Sequence, residues 1–349
     1  MQTLLNLLAG VSLLVWGTHI VRTGILRLYG GDLRRILRRS VARNRFAAFA
    51  AGIGVTGLIQ SSTATALIVA AFAGQGLVTT ASALAVMLGA DVGTSIVTVV
   101  LSFDLSWLAP LLIFCGVVLF LARQSTPVGR FGRILIGLGL ILFALQWIRV
   151  ATQPIVSAAG VKVLFASLTG DVLLDVLVAA LVTILCYSSL AVVLLVAALA
   201  QLGVIGPPVA LGLVLGANLG SGMLGMLSTL RSPPEARRVT LGNFLFKLIG
   251  CVIAIPLVNP LLRLVDSLRL DAGQEVVAFH LVFNIGIALA FMFWTEKIAR
   301  VAERLLPARP IEDDPAKPRH LDPSALDSPP LAIANAAREA MRIGDAVEQ

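Results

Sequence analysis

The sequence predicts an all-α polytopic membrane protein built from two inverted repeats, each pairing a re-entrant helical hairpin with a broken span. Three observations lead to that fold class. Mean hydropathy is +0.93 and 13% of residues are charged, against about one quarter in soluble domains. Apolar runs of bilayer-spanning length, about 20 residues, recur along the first 300 positions. One pattern occurs twice: Gln60-Ser61-Ser62-Thr63 with Gly89-Ala90-Asp91-Val92-Gly93-Thr94 returns 127 positions later as Tyr187-Ser188-Ser189-Leu190 with Gly216-Ala217-Asn218-Leu219-Gly220-Ser221. Without a gap, 15 of the 36 positions from Gln60 to Ser95 match those from Tyr187 to Gly222. Shared Ala and Leu would not hold the Ser-Ser and Gly-Ala runs in register, so the chain is an internal duplication.

In chain order, the stretch 3–26 lacks a basic n-region and a small-x-small cleavage site, which retains it as a membrane helix. Residues 28–45, with Arg34, Arg35, Arg38, Arg39, Arg43 and Arg45, read as an amphipathic surface helix against anionic lipids. The stretch 46–73 is apolar but interrupted at Gln60 to Thr63, and spans follow at 81–101, 107–122 and 132–150. A second interrupted stretch, 172–200, precedes spans at 206–228, 239–258 and 276–295. The membrane domain thus covers 1–300, with repeat 1 at about 46–122 and repeat 2 at about 172–258. A Pro-rich linker, 301–330, separates it from an amphipathic helix at 331–349.

Charge placement orients these elements. Arg and Lys concentrate at 22–45, 123–133, 231–238 and 297–309, and the positive-inside rule asks for all four on the cytoplasmic side. Were 46–73 a full span, three crossings would leave Arg123 to Arg133 outside. A hairpin that enters from the cytoplasm and turns at Gln60 to Thr63 leaves two crossings and satisfies the rule. The same reasoning makes 172–200 a hairpin entering from outside, so the copies are inverted and the C-terminus is cytoplasmic. Arg263 and Arg269 fall in the predicted external loop, accompanied by Asp266, Asp271 and Glu275.

Composition also excludes classes of function. The net charge of +8 is spread between apolar runs and forms no nucleic-acid patch. Cys115, Cys186 and Cys251 lack the spacing of a disulfide framework or a metal site. No GxxxxGK[ST] loop occurs, which argues against a primary pump. Ser61, Ser188 and Ser189 have no His inside either repeat to serve as base, which argues against an intramembrane enzyme.

Chain breaks at membrane depth expose backbone dipoles. Helix N-termini near Ser62 and Ser189 would offer N–H groups to an anion, with Gln60, Ser61, Thr63 and Ser188 adding polar side chains. Unwound carbonyls near Gly89 to Gly93 and Gly216 to Gly220, with Asp91, Thr94, Ser95, Asn218 and Ser221, are hard oxygen ligands suited to Na+. His19 and His280 read as helix-to-helix hydrogen-bond partners, and Glu296 beside Lys297 as interfacial.

These doubled motifs resemble the QSSS and GANxGT motifs of the type II sodium-phosphate cotransporter family, over roughly residues 1–300. The stretches 241–250 and 278–286, the second with Phe279-His280-Leu281-Val282-Phe283-Asn284, also resemble family helices. The resemblance implies a sodium:phosphate symporter of the bacterial inner membrane, with phosphate held between the two hairpins and Na+ as coupling ion, and no other cofactor. It further implies that the C-terminal helix opens a PhoU-like domain, with that domain or a soluble regulator as partner. Tyr187, Leu190 and Asp91 depart from the family pattern. Lys247 stands where family analogy expects Asn, and an unpaired ammonium there costs about 2.5–3.5 kcal/mol. Lys247 either neutralises Asp91, faces the phosphate, or snorkels toward Arg238. Proton coupling, another small anion as cargo, the direction of transport, the ion stoichiometry and the oligomeric state stay open at this level.

Overall fold

The computed structural model describes residues 2–103, 105–124, 126–156, 171–258, 260, 270–307 and 329–348. Described residues are helical or in short connections. In chain order the helices are α1 (Gln2–Arg43), α2 (Arg45–Ile59), α3 (Ser62–Gly74), α4 (Thr80–Ser102), α5 (Ala109–Ala122), α6 (Pro127–Val156) and α7 (Val172–Cys186). Then come α8 (Ser189–Gln201), α9 (Pro207–Ser228), α10 (Pro234–Ala254), α11 (Ala272–Phe291), α12 (Thr295–Leu305) and α13 (Pro329–Glu348). Six are long and apolar enough to cross a membrane, within α1, α4, α6, α9, α10 and α11. The chain is a multi-pass membrane protein. The stretch expected to span at 107–122 is an apolar helix, Ser106–Ala122, shorter than those six.

Helix bounds follow the sequence repeat. Adding 127 to the bounds of α2 and α3 gives those of α7 and α8, residue for residue, and α4 maps onto α9 within one residue. The correspondence reaches further back than the motifs do, because α1 shifted by 127 starts within two residues of α6. These two helices run antiparallel. A Cβ added at Gly10, Gly17 or Gly24 would meet Ile148, Ile141 or Ile134 at 2.7–2.9 Å, so glycines spaced by seven let the helices close up.

Two expectations fail. Residues 28–45 are not a separate surface helix, since α1 continues through Gly30 and Gly31 to Arg43 and Asn44 then caps α2, accepting from the Ala47 N–H at 2.8 Å. Nor do the Gly-Ala-(Asp/Asn) runs break their spans. Helices α4 and α9 pass through them without interruption. The glycines there allow backbone contact: a Cβ at Gly89 would sit 2.0 Å from the Phe49 carbonyl oxygen, and one at Gly216 would sit 2.2 Å from that of Val176. Unwound carbonyls are therefore not available as sodium ligands.

The outer surface is apolar. Leu173, Leu177, Leu181 and Leu185 form an exposed stripe along α7, as expected for a lipid-facing helix. Helix α12 is tied down by Glu296, which pairs with Arg45 at 3.1 Å, while Lys297 lies over the Trp294 ring. Residues up to Leu306 form one compact unit and those from Pro307 a second, of which α13 is described. The residues 263, 266 and 269 of the predicted external loop, and 308–328 of the linker, lie outside the described residues.

Candidate functional site

Each short helix pair is joined by a tight reversal of the same geometry. Gln60 ends α2 with φ 59° and ψ 28°, and Tyr187 ends α7 with φ 54° and ψ 24°. No other described non-Gly residue has positive φ. Left-handed backbone at a residue with a Cβ costs about 1–2 kcal/mol, so both tips hold a conformation that their surroundings impose. The next residue caps the following helix. Ser61 Oγ accepts from the Ala64 N–H and Ser188 Oγ from the Ala191 N–H, both at 3.2 Å. That leaves the N–H groups at Ser62, Thr63, Ser189 and Leu190 without carbonyl partners inside their helices.

The tips converge. Gln60, Ser61, Tyr187 and Ser188 line one cavity of about 150 Å³, together with His19 and Arg22 of α1. Arg22 places a guanidinium there at 3.2 Å from His19 Nδ1, and no carboxylate pairs with it among the described residues. His19 stacks on Trp16 and its polar contact is within α1, so it does not bridge helices as expected. Sequence reasoning treated Arg22 as a topology signal, because a count of charges along the chain does not show which way a side chain points.

A second polar group lies deeper. Lys247 on α10 is 1% exposed, and its Nζ stands 2.8 Å from Asp91 Oδ1 on α4 and 2.6 Å from Ser221 Oγ on α9. The pairing with Asp91, among the three fates left open above, is the one found. Lys247 does not snorkel, nor is it among the residues lining the cavity at the tips. Ser62, in the first turn of α3, also interacts with the Asp91 carboxylate.

Beside this pair, Asn284 of α11 donates from Nδ2 to Ser95 Oγ at 3.0 Å and to Asn218 Oδ1 at 3.1 Å. Asn284 Oδ1 itself is buried without a protein partner, as are Asn243 Oδ1 and His280 Nδ1. His280 thus makes no helix-to-helix bond through that ring nitrogen. Its carbonyl accepts from Asn284 and Ser95. Thr94 is buried and bonds back to the Ala90 carbonyl at 3.1 Å. Of the residues nominated from sequence, Gln60, Ser61 and Ser188 thus meet at the cavity, while Ser62, Asp91, Ser95, Asn218, Ser221 and Lys247 belong to the buried network. Thr63 and Ser189 lie in the first turns of α3 and α8. Asn284, His280 and Asn243 were missed as site residues, since none belongs to the doubled motif.

Comparison with known proteins agrees with this architecture. The Na+/Pi-cotransporter family profile matches residues 13–150 and 153–292, one stretch for each half. A protein of Salmonella typhimurium named "Putative inorganic phosphate export protein YjbB" is 54% identical over 349 residues, all of this chain and 64% of that protein. Its namesake in Escherichia coli K12 is 53% identical over the same share. YqeW of Bacillus subtilis is 24% identical over 314 residues, 88% of this chain and 100% of that one. The chain spans 64% of the length of the first of these curated relatives. No solved structure matches it. The chain belongs to the Na+/Pi-cotransporter family.

Proposed function

We propose that this member of the Na+/Pi-cotransporter family forms the membrane part of a secondary carrier of inorganic phosphate, coupled to Na+ and seated in the bacterial inner membrane. In this reading the two helix–tip–helix elements are re-entrant hairpins of inverted repeats, and the site between them opens alternately to either side. The antiparallel packing of α1 on α6, helices equivalent under the repeat, supports the inversion. The basic segments and the C-terminus lie on the cytoplasmic face.

One observation carries the reading. Arg22, without a carboxylate partner among the described residues, shares a cavity with both tips, where two helix N-termini present free N–H groups. A guanidinium flanked by positive dipole ends selects an oxyanion, and phosphate can accept from both kinds of donor. The buried oxygens of Ser95, Asn218 and Asn284, one of them unpartnered, support a cation nearby. The names of the relatives favour export as the working direction.

Flux of radiolabelled phosphate in proteoliposomes, with Na+ and pH varied separately on each side, tests this. Phosphate movement should saturate and follow the Na+ gradient. Arg22→Gln should weaken apparent phosphate affinity by about 10–100-fold, the worth of a hydrogen bond to a charged group. Unchanged affinity in that variant would remove the cavity from the mechanism. A flux driven by pH gradients and indifferent to Na+ would replace sodium by protons.

A further inference from the structure

Two oxygen-bearing groups from separate helices converge on one buried point: Asp91 from α4 and Ser221 from α9. Hard oxygens gathered from distant stretches of chain are how membrane carriers hold Na+. Here the point is already occupied, by the Lys247 ammonium at 2.8 Å from Asp91 and 2.6 Å from Ser221.

The repeat supplies an uncharged version for comparison. Asn218 stands where Asp91 stands, and it receives the Asn284 amide at 3.1 Å. Asp91 of the first repeat and Lys247 of the second offset each other, leaving the net charge of the network at zero. Gly222, at the position equivalent to Ser95, lies against α10, where an added Cβ would meet Phe244 Cα and Cδ2 at 3.2 Å and Lys247 Cδ at 3.4 Å.

We infer that Lys247 is a tethered cation that fills a sodium subsite centred on Asp91 and Ser221, and that this subsite consequently does not exchange ions with the medium. A cation attached to α10 competes at an effective concentration that dissolved Na+ does not match. Its departure would leave Asp91 buried and unpaired, which is strongly unfavourable. The sodium dependence of the carrier then rests on oxygens elsewhere in the network. That last consequence relies on the carrier reading above; the filled subsite does not.

The test reads ion binding instead of flux. Purified full-length wild type, Lys247→Met and the double variant Asp91→Asn/Lys247→Met are compared in detergent, by equilibrium binding of radioactive Na+ and by thermal unfolding in NaCl against choline chloride. Lys247→Met should gain saturable Na+ binding over wild type, with a Tm in NaCl about 2 °C above that in choline chloride. Adding Asp91→Asn should abolish both gains. Recovery of folded Lys247→Met in NaCl but not in choline chloride would also support the inference, because sodium then replaces the ammonium. Three results overturn it: folded Lys247→Met that binds no more Na+ than wild type, a gain that survives Asp91→Asn, or Lys247→Met that cannot be recovered even in NaCl. Failure of wild-type phosphate flux would count against the carrier reading alone, since these measurements do not use phosphate.

Discussion

The two halves of this protein share a backbone and differ in what they attach to it. Helix bounds, the left-handed tips at Gln60 and Tyr187, the serine caps and the glycine contacts all recur at the same offset. Polar partners do not. In the first half Thr56 and Thr65 share a buried hydrogen bond at 2.7 Å, whereas in the second Val192 stands in place of Thr65 and leaves the Thr183 hydroxyl without a partner. Asp91 holds an ammonium, its counterpart Asn218 an amide. Arg22 faces the tips, while its counterpart Arg149 lines a separate cavity with Asp271 and Gln274. Features enforced by close approach and by capping have stayed equal, and features able to meet a solute have diverged.

That comparison can be broken most forcefully at the glycines. Gly89→Ala and Gly216→Ala each force a methyl to about 2 Å from a backbone oxygen of the neighbouring helix, so each should lose about 3 kcal/mol or more. Thermal unfolding in detergent should show two losses of similar size. A large loss in one half alone would mean that the equivalence does not extend to packing energy. Thr65→Val makes the first half resemble the second by stranding the Thr56 hydroxyl, and should lower stability by about 1–2 kcal/mol in the same assay. The reverse change is the smallest and the sharpest. Val192→Thr gives Thr183 the partner that Thr56 has, at nearly constant volume, and should raise stability by about 0.5–1 kcal/mol. A loss instead would show that the unpartnered Thr183 is set by something other than the missing hydroxyl.

The duplication and the tips were legible in the sequence because they depend on local chemistry in fixed register, whereas Ser61 and Ser188, read there as polar groups for an anion, cap the helices that follow. Gly89 and Gly216 were misread, since a glycine's effect depends on its neighbours: the same residue that loosens a free helix lets two packed helices touch. The separation of the first span from the basic segment 28–45 does not occur, because a glycine penalty of about 1 kcal/mol each at Gly30 and Gly31 does not stop a long helix. Lys247 could be identified as an anomaly, and Asp91 as one of its possible partners, but the choice needed the distance between α4 and α10. Arg22, Asn284 and His280 stood outside the repeated motif, and their place in the site follows from how the helices converge.

The length of α1 has a mechanical consequence. At 1.5 Å per residue its 42 residues extend about 60 Å, roughly twice the hydrocarbon thickness. Arg22 near its middle and the arginine run from Arg34 to Arg39 therefore ride on one unbroken rod. In the carrier reading proposed above, a tilt of this rod that moved Arg22 away from the tips would carry those arginines with it, coupling the cavity to a basic segment more than two helical turns away.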